Sequence, residues 1–76
     1  MITIYSRPNC KWCDQSKALL ESKGLEYNEL MLDLDVTVEQ LKQLVPGAKS
    51  VPQIMDDGLY VGGFRELREY LARGDV

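Results

Sequence analysis

Ile2-Thr3-Ile4-Tyr5, then Ser6-Arg7-Pro8-Asn9, then Cys10-Lys11-Trp12-Cys13 is the stretch that decides the fold. Its first four residues are β-branched or aromatic and read as a short strand. Ser6 to Asn9 breaks it. A helix is expected from near Cys10 to Lys23, with Ala18, Leu19 and Leu20 on its apolar side and Gly24 as its C′ residue. Leu25 to Met31 reads as a second strand, with Leu25, Tyr27 and either Leu30 or Met31 turned inward. Strand, helix, strand in this order requires a crossover, so the two strands should be parallel and the connection right-handed. The Cys-x-x-Cys pair then falls where the first strand hands over to the first helix.

Working outward, Asp33 and Asp35 mark a turn. Thr37 and Gln40 have the spacing of a capping box. The helix they open carries Leu41 and Leu44 and stops at Pro46-Gly47. Val51 to Met55 reads as a third strand with a proline near its start, and Asp56-Asp57-Gly58 as a hairpin turn. Leu59 to Val61 is the paired fourth strand. Gly62-Gly63 opens a last helix, in which Phe64, Leu67 and Leu71 recur at helical spacing. The order βαβ, α, ββ, α gives an α/β, thioredoxin-like fold: a four-stranded mixed sheet packed by three helices, in one domain over residues 1–76.

Composition narrows the function. The chain has 76 residues, of which 45% are hydrophobic and 28% charged, as expected of a globular domain. Its net charge of −3 lacks the basic field of a nucleic-acid binder. No apolar run reaches membrane-spanning length, and Met1 to Tyr5 has no charged n-region of a secretion signal. A cytoplasmic monomer is expected, with neither nucleic acid nor membrane as a partner. The chain has two cysteines and no histidine. That removes Cys-His and Ser-His nucleophilic pairs, and a structural zinc would need four ligands. No metal site is expected. A cluster shared between two subunits is the reading that would make the pair an iron–sulfur module.

The pair itself points to redox chemistry. Residues i and i+3 on a helical turn lie about 5–6 Å apart on one face, which suits a disulfide. So short a loop gains little chain-entropy stabilisation from its bridge, so the bond fits cycling better than stapling. Cys10 at a helix N-terminus meets unpaired N–H groups and the positive end of the macrodipole. Both favour the thiolate, which is the attacking species. Arg7 and Lys11 push the same way. Cys13, one turn inside, should be more buried. Cys10 would attack a disulfide sulfur and Cys13 would resolve the mixed disulfide. Two structural cysteines are the alternative.

Two further segments bear on a substrate. In Ser50-Val51-Pro52-Gln53-Ile54, a proline at a strand start marks a special backbone position. If Pro52 faces the cysteines, the Val51 backbone can pair with an extended thiol substrate; otherwise Pro52 is a plain edge-strand proline. Gly62-Gly63 before Phe64 either admits a substrate's close approach and its carboxylate, or is a simple turn. Trp12 either covers the disulfide and stacks on substrate or lies at the core edge.

Together these segments resemble the glutaredoxins over nearly the whole chain. Ile4 to Cys13 is similar to their first strand and active-site turn. Ser50 to Ile54 is similar to their threonine-valine-proline segment, which implies a cis Pro52. Val61-Gly62-Gly63 is similar to their glycine pair. The resemblance implies reduction of protein disulfides and glutathione mixed disulfides, with glutathione as co-substrate and no bound cofactor. Disulfide proteins such as ribonucleotide reductase would be partners. It implies Cys10 and Cys13 as catalytic, and Arg7, Trp12, Lys49, Val51, Pro52, Gly63, Phe64 and Arg65 around the substrate. Arg7 and Lys49 would sit near a glutathione carboxylate, Val51 would pair with its cysteine backbone, and Phe64 onward would meet its γ-glutamyl end. The chain departs from the pattern at several positions. Lys11 stands where many members have proline, Trp12 where tyrosine is usual, and Asp14 where a basic residue is common. Arg65 replaces an acidic or small polar residue, leaving Glu66 to take over its role. Gly63-Phe64-Arg65 is also similar to the turn of redoxins that serve ribonucleotide reductase and are reduced by thioredoxin reductase.

Overall fold

A computed structural model of the chain describes residues 1–73. Strand β1 (Ile2–Ser6) leads to helix α1 (Lys11–Ser22) and strand β2 (Tyr27–Met31). Helix α2 (Val38–Leu44) follows, then strands β3 (Gln53–Asp56) and β4 (Leu59–Gly62), and helix α3 (Phe64–Ala72). The sheet order is β2-β1-β3-β4. β1 runs parallel to β2, with Ile2 opposite Tyr27 and Ser6 opposite Met31. It runs antiparallel to β3, with Tyr5 opposite Gln53. β3 and β4 form the antiparallel hairpin. This is the mixed sheet that the element order demanded.

β1 is an interior strand with a neighbour on each edge, and residues of the helices pack on both its faces. Strand alternation sends Ile2 and Ile4 to one face and Tyr5 to the other. Ile2, Ile4 and Ile54 pack with Leu20 of α1 and Leu67 of α3. Leu67 is fully buried, and such burial stabilises by about 1.5–3 kcal/mol per side chain. Tyr5 packs on the opposite face with Leu41, Val45 and Ala48. The crossover helix α1 and the last helix thus cover one face, and α2 with its trailing loop covers the other.

The caps follow their sequence signals. The Thr37 hydroxyl accepts the Gln40 N–H at 3.1 Å and the Gln40 side-chain oxygen accepts the Thr37 N–H at 2.8 Å, the reciprocal box expected from their spacing. Gly24 follows α1 with φ 68°, a conformation that favours glycine.

Several boundaries differ from the sequence reading by a residue or two, and three of them have a clear local cause. α1 begins at Lys11, because Cys10 is its extended cap and not its first helical residue. β2 begins at Tyr27, since Leu25 is still closing the end of α1, with its N–H donating to the Leu20 carbonyl at 3.1 Å. β3 begins at Gln53, because Pro52 has no N–H to give to a ladder. Among the described residues, no helix is long and apolar enough to cross a membrane.

Candidate active site

The turn between β1 and α1 sets the first cysteine. Asn9 adopts φ 57°, a left-handed conformation that asparagine tolerates better than most residues. Cys10 then lies extended at φ −114° and ψ 106°. Its sulfur accepts the Cys13 N–H at 3.1 Å, and its carbonyl accepts the Asp14 N–H at 3.0 Å. Sulfur therefore fills the N-cap place that a serine or aspartate oxygen usually takes. Cys10 and Cys13 are joined as a disulfide with Cα atoms 5.2 Å apart. Cys10 is 8% exposed and Cys13 1%, so the leading cysteine is the more accessible of the two. After reduction, the same N–H and the helix N-terminus favour a negative charge on the Cys10 sulfur.

The Cys10 sulfur lies 3.9 Å from the Val51 carbonyl oxygen. The Val51–Pro52 peptide is cis, as the resemblance implied. Ser50, Val51 and Pro52 form one wall of a groove of about 630 Å³. Trp12, Gly63, Phe64 and Arg65 line it as well, together with Arg68 and Glu69. The Trp12 and Phe64 rings lie 5.3 Å apart at 31°, bridging α1 and α3 at the rim. The Lys11 ammonium stands 5.5 Å from the Trp12 ring and the Arg68 guanidinium 5.9 Å from the Phe64 ring. Both are within cation–π range. Half-exposed Trp12 thus belongs to the groove, not to the core.

Arg7 and Lys49 stand elsewhere. They line a second groove of about 290 Å³, together with Leu41 and Lys42. Ser50 and Val51 wall both grooves. The residues expected around a substrate are therefore split by the Ser50–Val51 ridge, beside which the disulfide lies.

Gly62 has φ 127°, and a Cβ there would come within 2.7 Å of the Glu66 Cβ and Cγ. Glu66 folds back over it, and its carboxylate accepts the Gly63 N–H at 2.8 Å. Its carboxylate thereby serves the start of α3, and Glu66 lines a separate depression together with Leu59, Val61 and Glu69. Glu69 also lines the groove beside Trp12 and Phe64. Arg68 and Glu69 were not singled out from sequence. Their signal is helical spacing, since they follow Phe64 and Arg65 by one turn.

The buried Ser6 hydroxyl at the end of β1 donates to Glu29 at 2.6 Å, and the Lys17 ammonium reaches the same oxygen at 2.9 Å. The Ser6 hydroxyl and Lys17 together hold the Glu29 carboxyl below its ordinary value. Glu29 in turn raises Lys17. The end of β1, the strand β2 and α1 are tied there by one carboxylate. Asp14, which follows Cys13, is drawn to Lys17 at 3.6 Å. Among the described residues no group of three or more His, Cys, Asp or Glu could hold a metal ion.

A thioredoxin-like sheet with a cysteine capping a helix, bonded to a more deeply buried cysteine one turn on, defines a thiol–disulfide oxidoreductase. Within that class, the chain belongs to the glutaredoxin family, whose model matches residues 2–61. It is 36% identical over 75 residues to glutaredoxin 3 of Escherichia coli K12, covering 99% of this chain and 90% of that one. It is 37% identical over 71 residues to the hybrid peroxiredoxin hyPrx5 of Haemophilus influenzae. That match covers 93% of this chain but spans only 29% of that longer protein. Buckwheat glutaredoxin, solved as a glutathione complex, superposes with a TM-score of 0.81 at 26% identity, over 96% of this chain and 69% of that one.

Proposed function

We propose that this protein reduces glutathione mixed disulfides and protein disulfides in the cytoplasm, with glutathione as the electron donor. The observation that carries the reading is the Cys10 sulfur, held as a helix cap beside the carbonyl of Val51, a residue that lines both grooves. The Cys10 thiolate attacks one sulfur of the substrate disulfide. The substrate's S–S bond breaks, and its other sulfur leaves and takes a proton. Cys13, giving its proton to solvent, then attacks Cys10 and frees the second substrate sulfur as a thiol. The substrate gains two electrons and the protein dithiol becomes the Cys10–Cys13 disulfide. Two glutathione molecules return those electrons and leave as glutathione disulfide.

In this reading the Val51 backbone pairs with the extended thiol substrate, as an added strand would. Trp12, Pro52, Gly63 and Phe64 hold its body, and Arg7 and Lys49 lie within the adjoining groove for a carboxylate. The buckwheat complex supports glutathione as the ligand. Ribonucleotide reductase is the kind of disulfide enzyme such a donor would serve.

One observation favours a second donor. Arg65 and Arg68 line the groove, with Glu69 as the acid among its lining residues. That leaves the lining with an excess of positive charge, which disfavours a γ-glutamyl ammonium and favours a redoxin recharged by thioredoxin reductase. A paired assay decides. The reduction of a glutathionylated peptide is coupled to glutathione with glutathione reductase, or to thioredoxin reductase alone. Turnover in the first supports the proposal. Turnover only in the second replaces it.

A further inference from the structure

Gln53 opens β3 and is 7% exposed, an uncharged polar side chain in a buried position. Its amide nitrogen donates to the Ser50 carbonyl at 2.8 Å, and its amide oxygen accepts the Tyr60 hydroxyl at 2.6 Å. The direction of this chain is forced. A carbonyl has lone pairs and no proton, so only the –NH₂ end of the amide can face Ser50. The oxygen must then face Tyr60, and the phenol must be the donor. Tyr60 stands opposite Met55, two residues beyond Gln53. The pair is therefore a diagonal one on a single face of the hairpin.

The Gln53–Ser50 bond closes a short loop around Val51 and Pro52. That loop is the ridge between the two grooves, and its Val51 carbonyl is the one beside the Cys10 sulfur. We propose that Tyr60 and Gln53 are positioning residues. They fix the Ser50–Pro52 segment as a preformed edge for the substrate's backbone, acting from the hairpin without touching the sulfurs. The proposal rests on the reading above that the substrate pairs with Val51.

The mechanism predicts a split between docking and chemistry. Without the Tyr60 hydroxyl, the Gln53 amide keeps only its Ser50 bond, and part of the ridge's ordering is deferred until substrate binds. That ordering is charged to affinity. The reacting thiolate keeps its cap, so the bond-making step is unchanged.

The test uses Tyr60→Phe, which keeps the half-exposed ring and removes the hydroxyl, and Gln53→Leu, which removes both bonds. Each reduced protein is mixed in single turnover with a peptide carrying one internal disulfide. Protein dithiol and peptide disulfide become protein disulfide and peptide dithiol, which are separated by chromatography. The half-saturating peptide concentration should rise about fivefold in Tyr60→Phe, the size of one ordinary hydrogen bond. The limiting rate, and the alkylation rate of Cys10 by iodoacetamide, should stay within about twofold of wild type. Gln53→Leu should show at least the same rise; if it does not fold, Tyr60→Phe alone carries the test. An unchanged half-saturating concentration in Tyr60→Phe overturns the proposal. So does a limiting rate that falls together with alkylation, since the variant would then act on the thiolate. A wild-type protein that reduces this peptide but no glutathionylated one would sink the glutathione reading and leave the comparison intact.

Discussion

Replacing Glu29 by glutamine should destabilise the protein at neutral pH and have almost no effect in acid. At neutral pH Glu29 is ionised, accepts the Ser6 hydroxyl at 2.6 Å and pairs with Lys17 at 2.9 Å. Hydrogen bonds to a charged group contribute about 1.5–3 kcal/mol. The Lys17 and Glu29 side chains are about a quarter exposed, so solvent screening keeps the expected loss near the lower end, about 1.5–2 kcal/mol. For a domain of this size that is a fall in Tm of about 6–16 °C. The folded carboxyl titrates below the ordinary 4.5. The stabilisation is therefore complete above pH 4.5 and disappears as pH falls through the lower, folded value, where wild type also carries a neutral side chain. The assay is urea unfolding of both proteins, held reduced, across this range. Parallel stability curves from pH 7 to pH 3 would refute the reasoning.

Cys10→Ser should abolish every exchange reaction, whereas Cys13→Ser should lose reduction of peptide disulfides and keep exchange with glutathione mixed disulfides; equal losses in both assays would contradict the assigned roles. Gly62→Ala should destabilise by about 2 kcal/mol or more, because φ 127° is strained for alanine and the new methyl would meet the Glu66 side chain; an unchanged urea midpoint would show that the turn relaxes freely. Arg65→Asp should lower the KM for a glutathionylated peptide roughly tenfold, the value of one charge-assisted hydrogen bond, with kcat little changed; an unaltered KM would place the γ-glutamyl group elsewhere.

Local rules made much of this fold legible. The strand before Asn9, the Thr37–Gln40 box and the hairpin at Asp57 each depend on residues within a few positions of one another, and each formed where its pattern lay. The parallel β1–β2 pair followed from chirality. The sulfurs were legible for the same reason, since their spacing and helix start fix their distance. What stayed hidden depends on residues far apart in the chain. Nothing in the local pattern shows that Arg7 and Lys49 line one groove and Trp12 and Phe64 another, with Ser50 and Val51 shared between them. The apolar pattern likewise gave no sign that the Glu66 carboxylate would accept the Gly63 N–H. The place of Cys10 as cap, and the start of β3 after Pro52, turn on which backbone groups find partners. A pattern of apolar positions does not record that.

Because one atom is both the reactive nucleophile and the cap of α1, the stability of the first helical turn and the protein's appetite for electrons are thermodynamically linked. A stronger cap bond to the thiolate lowers the energy of the dithiol form relative to the bridged one, which makes the protein a stronger oxidant. Substitutions that firm or loosen residues 11–14 would therefore tune the reduction potential without changing either cysteine.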